Sequence, residues 1–84
     1  MNVQGQILSE IAKYILGAVR KVLPDPPDDV SVVDNFFDLG GDSQSAVELL
    51  TVVESAYPVV FPIETLFASG NLADVIRECE QGLG

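Results

Sequence analysis

Histidine is absent from this chain of 84 residues, and lysine and arginine together number only 4. Without histidine, a Ser-His-Asp triad cannot form. Lys13 and Lys21 belong to a segment well before Ser43, the serine discussed below, so neither lysine is at hand as its base. Because a hydroxyl needs such a base to act as a nucleophile, we expect no catalytic residue and no enzymatic activity of the chain's own.

Positive charge is also unevenly placed. Aspartate and glutamate number 13, the net charge is −9, and every charged residue between Lys21 and Arg77 is acidic. Nucleic acids and anionic membrane surfaces both attract clustered cations, so we expect neither as a partner. An acidic surface around Ser43 would favour partners with basic docking faces, although plain solvation of a small domain explains the same charges.

Cysteine occurs once, at Cys79, so no intramolecular disulfide can form. Its place in an apolar, periodic segment predicts a buried or half-buried small hydrophobic side chain. The sequence contains no signal peptide, transit peptide or apolar run of membrane length. We therefore expect a cytoplasmic protein without a membrane partner.

The size and composition of the chain predict one small domain. Hydrophobic residues make up 48% of the sequence, which is enough for a compact core and argues against disorder. A domain of this size buries roughly 60–65% of its unfolded surface, which implies modest stability. We expect a single monomeric domain over residues 1–84.

Apolar residues recur at spacings of three and four, which is typical of amphipathic helices. The helices that this period predicts span residues 4–23, 43–56 and 72–81, and a short helix over 63–67 is predicted after Pro62. Pro62 suits the first turn of the short third helix, Asn71 suits the cap of the fourth, and Gly82 and Gly84 should end it. The predicted fold is all-α, a bundle of three main helices and one short helix with a long first loop.

The long first loop begins with three prolines within residues 24–27, which make it stiff. The apolar run over 30–39 resembles a strand, but a single strand would leave its backbone unpaired. We interpret it as an irregular loop that packs between helices. Phe36 and Phe37 then act as core anchors, which we favour over an acyl-binding patch.

Ser43 follows two glycines and Asp42 at the mouth of the predicted second helix, where another protein can reach it. A phosphate ester there would be favoured by roughly 0.3–1 kcal/mol, because a helix start carries partial positive charge. Asp42 would repel that phosphate. It either caps the helix or offers its carboxylate to a metal ion or an arginine of a modifying enzyme.

Two other interpretations of this segment remain. By spacing alone, Gly-Gly-Asp-Ser before a helix favours a simple loop and cap over a modification site. A calcium loop counted from Asp38 is the weaker interpretation, because it would need glycine at Ser43 and glutamate at Leu49. We expect no metal site on the chain.

A longer motif links the chain to a known family. The motif is Asp34-Asn35-Phe36-Phe37-Asp38-Leu39-Gly40-Gly41-Asp42-Ser43. With residues 62–67 and 71–75, it resembles the peptidyl carrier (thiolation) proteins of nonribosomal peptide synthesis, within the acyl carrier family. The resemblance runs from about residue 7 to residue 80. The start at Met1 and the lack of a linker-like flank favour a free-standing protein.

The resemblance implies a prosthetic group on Ser43. In the family, the matching serine is esterified with 4′-phosphopantetheine from coenzyme A by a phosphopantetheinyl transferase that uses Mg²⁺. The thiol of the arm carries aminoacyl, peptidyl or other acyl groups as thioesters, in nonribosomal peptide or hybrid peptide–polyketide biosynthesis. Further implied partners are an adenylating enzyme and condensation, ketosynthase or tailoring enzymes. The alternative is an acidic interaction domain that keeps the carrier fold and is never loaded.

A candidate partner face follows Ser43 on the second helix. It consists of Gln44, Val47, Glu48 and Thr51, on the surface that the family uses for recognition. Family members commonly have leucine directly after the serine, so Gln44 removes an apolar contact. This leaves open which transferase and adenylating enzyme recognise the chain, unless Gln44 is simply a tolerated surface residue.

Overall fold

The computed structural model describes residues 8–83, and that range folds into four helices. They are α1 (Glu10–Val22), α2 (Ser43–Ala56), α3 (Ile63–Ser69) and α4 (Leu72–Leu83). Within these residues, extended pairing is limited to one isolated bridge between Asn35 and Asn71. The all-α fold is therefore confirmed. None of the helices in residues 8–83 has the length and apolar composition needed to cross a membrane.

One apolar core joins the four helices. Its fully buried side chains include Ile15 of α1, Leu49 of α2, Leu66 of α3 and Val75 of α4. Burial of an isoleucine or leucine side chain contributes about 1.5–3 kcal/mol. All four helices thus depend on the same packed interior, and the start of α2 is held in place by it.

α1 begins later than the sequence predicts. Leu8 and Ser9 lie outside the helix, which starts at Glu10, while residues 4–7 of the predicted helix lie outside the described residues. Ser9 is the N-cap, and its Oγ accepts the amide of Ala12 at 3.1 Å. The apolar period extends across this cap because packing, rather than helical conformation, keeps Leu8 against the core.

The other helix bounds differ less. α2 has the predicted bounds, and α3 extends to Ser69 before Gly70 ends it in the left-handed conformation, at φ +71°. Asn71 caps α4 as predicted, since its Oδ1 accepts the amide of Ala73 at 2.8 Å. The prediction that Gly82 ends α4 is wrong. Gly82 has no positive φ and continues the helix to Leu83.

The long loop is irregular and anchored by aromatic rings, as predicted. Phe36 is completely buried. Phe37 is half-buried, meets Phe36 edge to face at 5.3 Å between ring centroids, and stacks on Phe67 at 6.1 Å. These rings attach the loop to the core and to α3.

Two adjacent glycines end the loop for different reasons. Gly40 has φ +103°, a conformation that residues with a Cβ adopt only with strain. Gly41 has an ordinary φ, but a Cβ on it would overlap the buried ring of Phe36, at 2.7 Å from Cζ. The backbone therefore passes directly across this ring just before α2 begins.

We predict opposite effects for two glycine-to-alanine substitutions. Gly41→Ala should lower the free energy of unfolding by about 1–3 kcal/mol, because the Phe36 ring has no room to move within the core. Gly17→Ala is the matched control, since Gly17 lies on the exposed side of α1 with nothing within 4 Å of an added Cβ. It should raise the free energy of unfolding by roughly 0.5–1 kcal/mol. Urea unfolding measures both, and a Gly41→Ala variant as stable as wild type would contradict the packing argument.

Candidate functional site

Ser43 is the first residue of α2, and its side chain is exposed. Amides at the start of a helix have no partner within the helix and point outward. Just before this point the loop passes across the Phe36 ring, and α2 then packs along the core. The hydroxyl is therefore presented at a fixed, accessible position.

Asp42 and Ser45 form a reciprocal cap around Ser43. The Asp42 Oδ1 accepts the Ser45 amide at 2.9 Å, and the Asp42 amide donates to the Ser45 Oγ at 2.8 Å. Of the roles that the sequence left open for Asp42, the structure shows the helix cap. This arrangement fixes the backbone on both sides of the serine.

Ser45 is the residue of this site that sequence reasoning missed. Only 5% of its surface is exposed, although it is polar and lies two residues from the exposed Ser43. The available signal was its position, three residues after the capping Asp42, where a capping box normally has glutamate or glutamine. A serine there serves the same purpose with a shorter side chain.

The hydrogen bonds of the cap lower the pKa of Asp42 below its ordinary value of 3.8. The main cause is the bond from the Ser45 amide, followed by the bond with the Ser45 side chain. Both stabilise the charged carboxylate. Asp42 is therefore ionised throughout the neutral range.

The four residues of the partner face lie on one exposed side of α2. Gln44, Val47, Glu48 and Thr51 are all exposed, and 53% of the Val47 surface is accessible. Their spacings of three and four place them together on the helix surface. The structure thus brings the predicted residues into one patch beside Ser43, with an apolar side chain among polar ones.

A shallow cleft of about 180 Å³ lies beside Ser43, between the end of α1 and the start of α2. Its lining residues are Val22, Pro24, Asp42, Gln44, Ser45 and Glu48. The Tyr14 hydroxyl, in the first half of α1, meets the Val52 carbonyl, in the second half of α2, at 3.5 Å. The two helices are therefore antiparallel, and Glu10 lies at the end of the bundle opposite Ser43.

The carboxylates at this site have no cationic partner within residues 8–83. The ion pairs there join Lys13 to Glu10 and Arg77 to Asp74. No three histidine, cysteine, aspartate or glutamate side chains in the described range are placed to hold a metal ion.

Cys79 is buried, as the sequence predicted. Desolvation, assisted by the charges of Glu78, Glu80 and Glu54, raises the pKa of its thiol to about 11. The thiol therefore stays protonated at neutral pH and inaccessible within the core. This side chain does not supply a reactive thiolate.

The site fits a phosphodiester-linked group on Ser43. The hydroxyl is accessible, space is open around it, and the start of α2 provides outward-facing amides. The chain has no histidine that could take the proton of this hydroxyl.

Comparison with known proteins gives a consistent result. The family model described as phosphopantetheine attachment site matches residues 13–79. The chain is 37% identical over 67 residues to the nonribosomal peptide synthetase atnA of Emericella nidulans. The aligned region covers 80% of this chain and 1% of that protein. It is 32% identical over 79 residues to gramicidin S synthase 2 of Brevibacillus brevis, with 90% of this chain and 2% of that protein covered.

A third relative is also much longer than the region that matches this chain. Phosphinothricin tripeptide synthetase PhsC of Streptomyces viridochromogenes is 32% identical over 71 residues, with 84% of this chain and 6% of that protein covered. The chain thus corresponds to a small part of each of these relatives. No solved structure matches it.

We predict that substitution of Asp42 by asparagine will change how stability depends on pH. Asparagine keeps an acceptor for the Ser45 amide but carries no charge. Because the folded-state pKa of Asp42 is lowered, its stabilisation is present above the ordinary value of 3.8 and is lost as pH falls through the folded value. Wild type should have the higher melting temperature at pH 7, and the difference should disappear at the acid end of a series from pH 7 to pH 2.

The matched control is Asp29→Asn. Asp29 is exposed in the proline-rich loop, and its carboxylate takes no hydrogen bond from another described residue. Its substitution should leave the shape of the pH profile unchanged. A constant difference between wild type and Asp42→Asn at every pH would contradict the charge-dependent cap.

Proposed function

Because the chain belongs to the phosphopantetheine attachment family, whose members carry 4′-phosphopantetheine covalently, we propose that Ser43 bears this group. Residues 1–84 then constitute a single carrier domain. The observation that supports the assignment is the exposed Ser43 hydroxyl at the first position of α2, fixed on both sides by the Asp42–Ser45 cap. Ser45 is the nearest other serine, and its burial makes it a poor acceptor.

Attachment requires chemistry that this chain does not contain. The Ser43 Oγ loses its proton to a base of the phosphopantetheinyl transferase and gains a bond to the phosphorus next to the pantetheine of coenzyme A. The bond from that phosphorus to the bridging oxygen of the diphosphate breaks, and adenosine 3′,5′-bisphosphate leaves with the bridging oxygen. Any Mg²⁺ that assists would be bound mainly by the transferase and coenzyme A. The carrier contributes position and access, and acts as the substrate of the transferase.

The attached arm supplies the thiol that carries the cargo. Cys79 cannot replace it, because this thiol is buried and protonated. We propose that the loaded chain holds aminoacyl, peptidyl or other acyl groups as thioesters in nonribosomal peptide or hybrid biosynthesis. Similarity to gramicidin S synthase 2 and to other synthetases supports this proposal.

Successive enzymes must find Ser43 on a strongly acidic molecule. Asp42 and Glu48 have no ion-pair partner within the described residues. Val47 offers an exposed apolar contact on the same face as Glu48 and Thr51. A basic enzyme surface around a small apolar pocket would complement this face. We propose that the transferase, the adenylating enzyme and the condensation, ketosynthase or tailoring enzymes dock here in turn.

We predict that a transferase of broad specificity will add one phosphopantetheine group to the chain in the presence of Mg²⁺ and coenzyme A. Intact mass spectrometry should show a single addition on wild type and none on Ser43→Ala. Ser55→Ala is the matched control, because Ser55 is an exposed serine at the other end of α2. It should be loaded as wild type is.

The same measurement decides between the carrier and its alternative. An unchanged mass with several transferases would falsify the carrier assignment in favour of an acidic interaction domain that is never loaded. Addition of the phosphopantetheine group to both wild type and Ser43→Ala would show that the attachment site is another residue.

We predict that Glu48→Lys will slow loading by a transferase with a basic face. The substitution reverses a charge within the partner face and leaves the core untouched. The rate difference from wild type should be largest at low ionic strength, and shrink as salt screens the charges. Glu10→Lys is the control, because it makes the same reversal at the opposite end of the bundle. Equal rates for both variants and wild type at low salt would exclude the electrostatic role of this face.

A further inference from the structure

Asn35 connects the loop that carries Ser43 to the turn between α3 and α4. Its Nδ2 donates to the Ser69 carbonyl at 3.0 Å. Its Oδ1 accepts the amides of Phe37 at 2.9 Å and Asp38 at 3.2 Å. One side chain therefore closes the turn within the loop and holds that turn against a distant part of the chain.

The Asn35 side chain lies so close to Gly70 that it restricts which residue can occupy position 70. A Cβ on Gly70 would lie 2.6 Å from the Asn35 Nδ2, so that only glycine fits there. Two backbone hydrogen bonds flank the side chain, from the Phe36 amide to the Gly70 carbonyl at 2.7 Å and from the Leu72 amide to the Asp34 carbonyl at 3.2 Å. Asn35 thus lies at the centre of a junction between two segments.

The junction is connected to Ser43 through Phe36 and Gly41. The residue after Asn35 is Phe36, whose ring is buried against the Gly41 backbone, and the Gly41 amide donates to the Phe36 carbonyl at 3.1 Å. Gly41 precedes Asp42, the cap of α2. A shift of Asn35 would move Phe36, and the ring would no longer fix the backbone just before Ser43.

We propose that Asn35 is a positioning residue for the attachment reaction, which it serves by holding Ser43 at the place where a docked transferase needs the hydroxyl. This inference rests on the proposed function of Ser43. Asn35 is not part of the partner face. Its loss should therefore change the rate within the docked complex more than the strength of docking.

The test compares Asn35→Ala and Asn35→Asp with Asn71→Ala in transferase kinetics. Asparagine 71 is the matched control, because its side chain caps α4 and the bridge to Asn35 uses only backbone atoms. Asn35→Asp keeps an acceptor for the Phe37 and Asp38 amides but loses the donor to Ser69. All variants are assayed at a temperature where urea titration shows them folded.

We expect both Asn35 variants to lower kcat for loading on the order of tenfold with KM nearly unchanged, since misplacement of a reacting group reduces the rate steeply. A purely structural role gives a different result. Because the chain is the substrate, an unfolded fraction would raise the apparent KM and leave kcat unchanged. Asn71→Ala should keep the wild-type kcat. A kcat for Asn35→Ala equal to that of Asn71→Ala would overturn the proposal.

Amide hydrogen exchange tests the same inference without any loading. In both Asn35 variants the Gly41 and Asp42 amides should exchange severalfold faster than in wild type, whereas Asn71→Ala should affect only the start of α4. Unchanged exchange at Gly41 and Asp42 would overturn the proposal even if wild type is loaded normally. If wild type is not loaded, the proposed function fails, and the exchange result alone decides whether Asn35 fixes this backbone.

Discussion

The contact between the buried Phe36 ring and the Gly41 backbone is the constraint on which the presentation of Ser43 depends. The ring is completely buried, and a single added carbon on Gly41 would overlap it. Protein interiors are close-packed, so the ring cannot shift by small steps and the contact has one arrangement. Since Asp42 and Ser43 follow immediately, the place where α2 begins is set by core packing as well as by its own cap.

The two glycines before the site show that one sequence feature can meet two separate requirements. Gly40 is needed for its backbone angle, with open space around it, and Gly41 is needed for space, with an ordinary angle. A glycine pair in the sequence indicates a turn without separating these causes. Substitution of the two glycines would have different consequences. Strain from a side chain at position 40 would remain local, whereas a side chain at position 41 would displace Phe36 from the core.

Periodicity predicted the three longer helices, because it records which side of each helix faces the core. The short α3 was predicted from Pro62 at its start. It could not predict the start of α1, since Leu8 packs against the core without being helical. The exposed position of Ser43 followed from local chemistry, which also gave the helix cap as one of the roles open to Asp42. The role of Asn35 did not, because only the folded chain identifies its partner, the Ser69 carbonyl. The role of Ser45 was missed although its partner, Asp42, lies only three residues earlier.

The cap also changes how a phosphate at Ser43 is to be understood. The partial positive charge at the start of α2 would by itself favour a phosphate ester by roughly 0.3–1 kcal/mol. The Asp42 carboxylate already accepts the Ser45 amide and remains ionised at neutral pH, so an anion occupies the helix start before any phosphate arrives. Repulsion between the two anions opposes a gain that is small at an exposed position. The site is therefore distinguished by the access and fixed position of its hydroxyl, and attraction of the phosphate to the helix start is secondary.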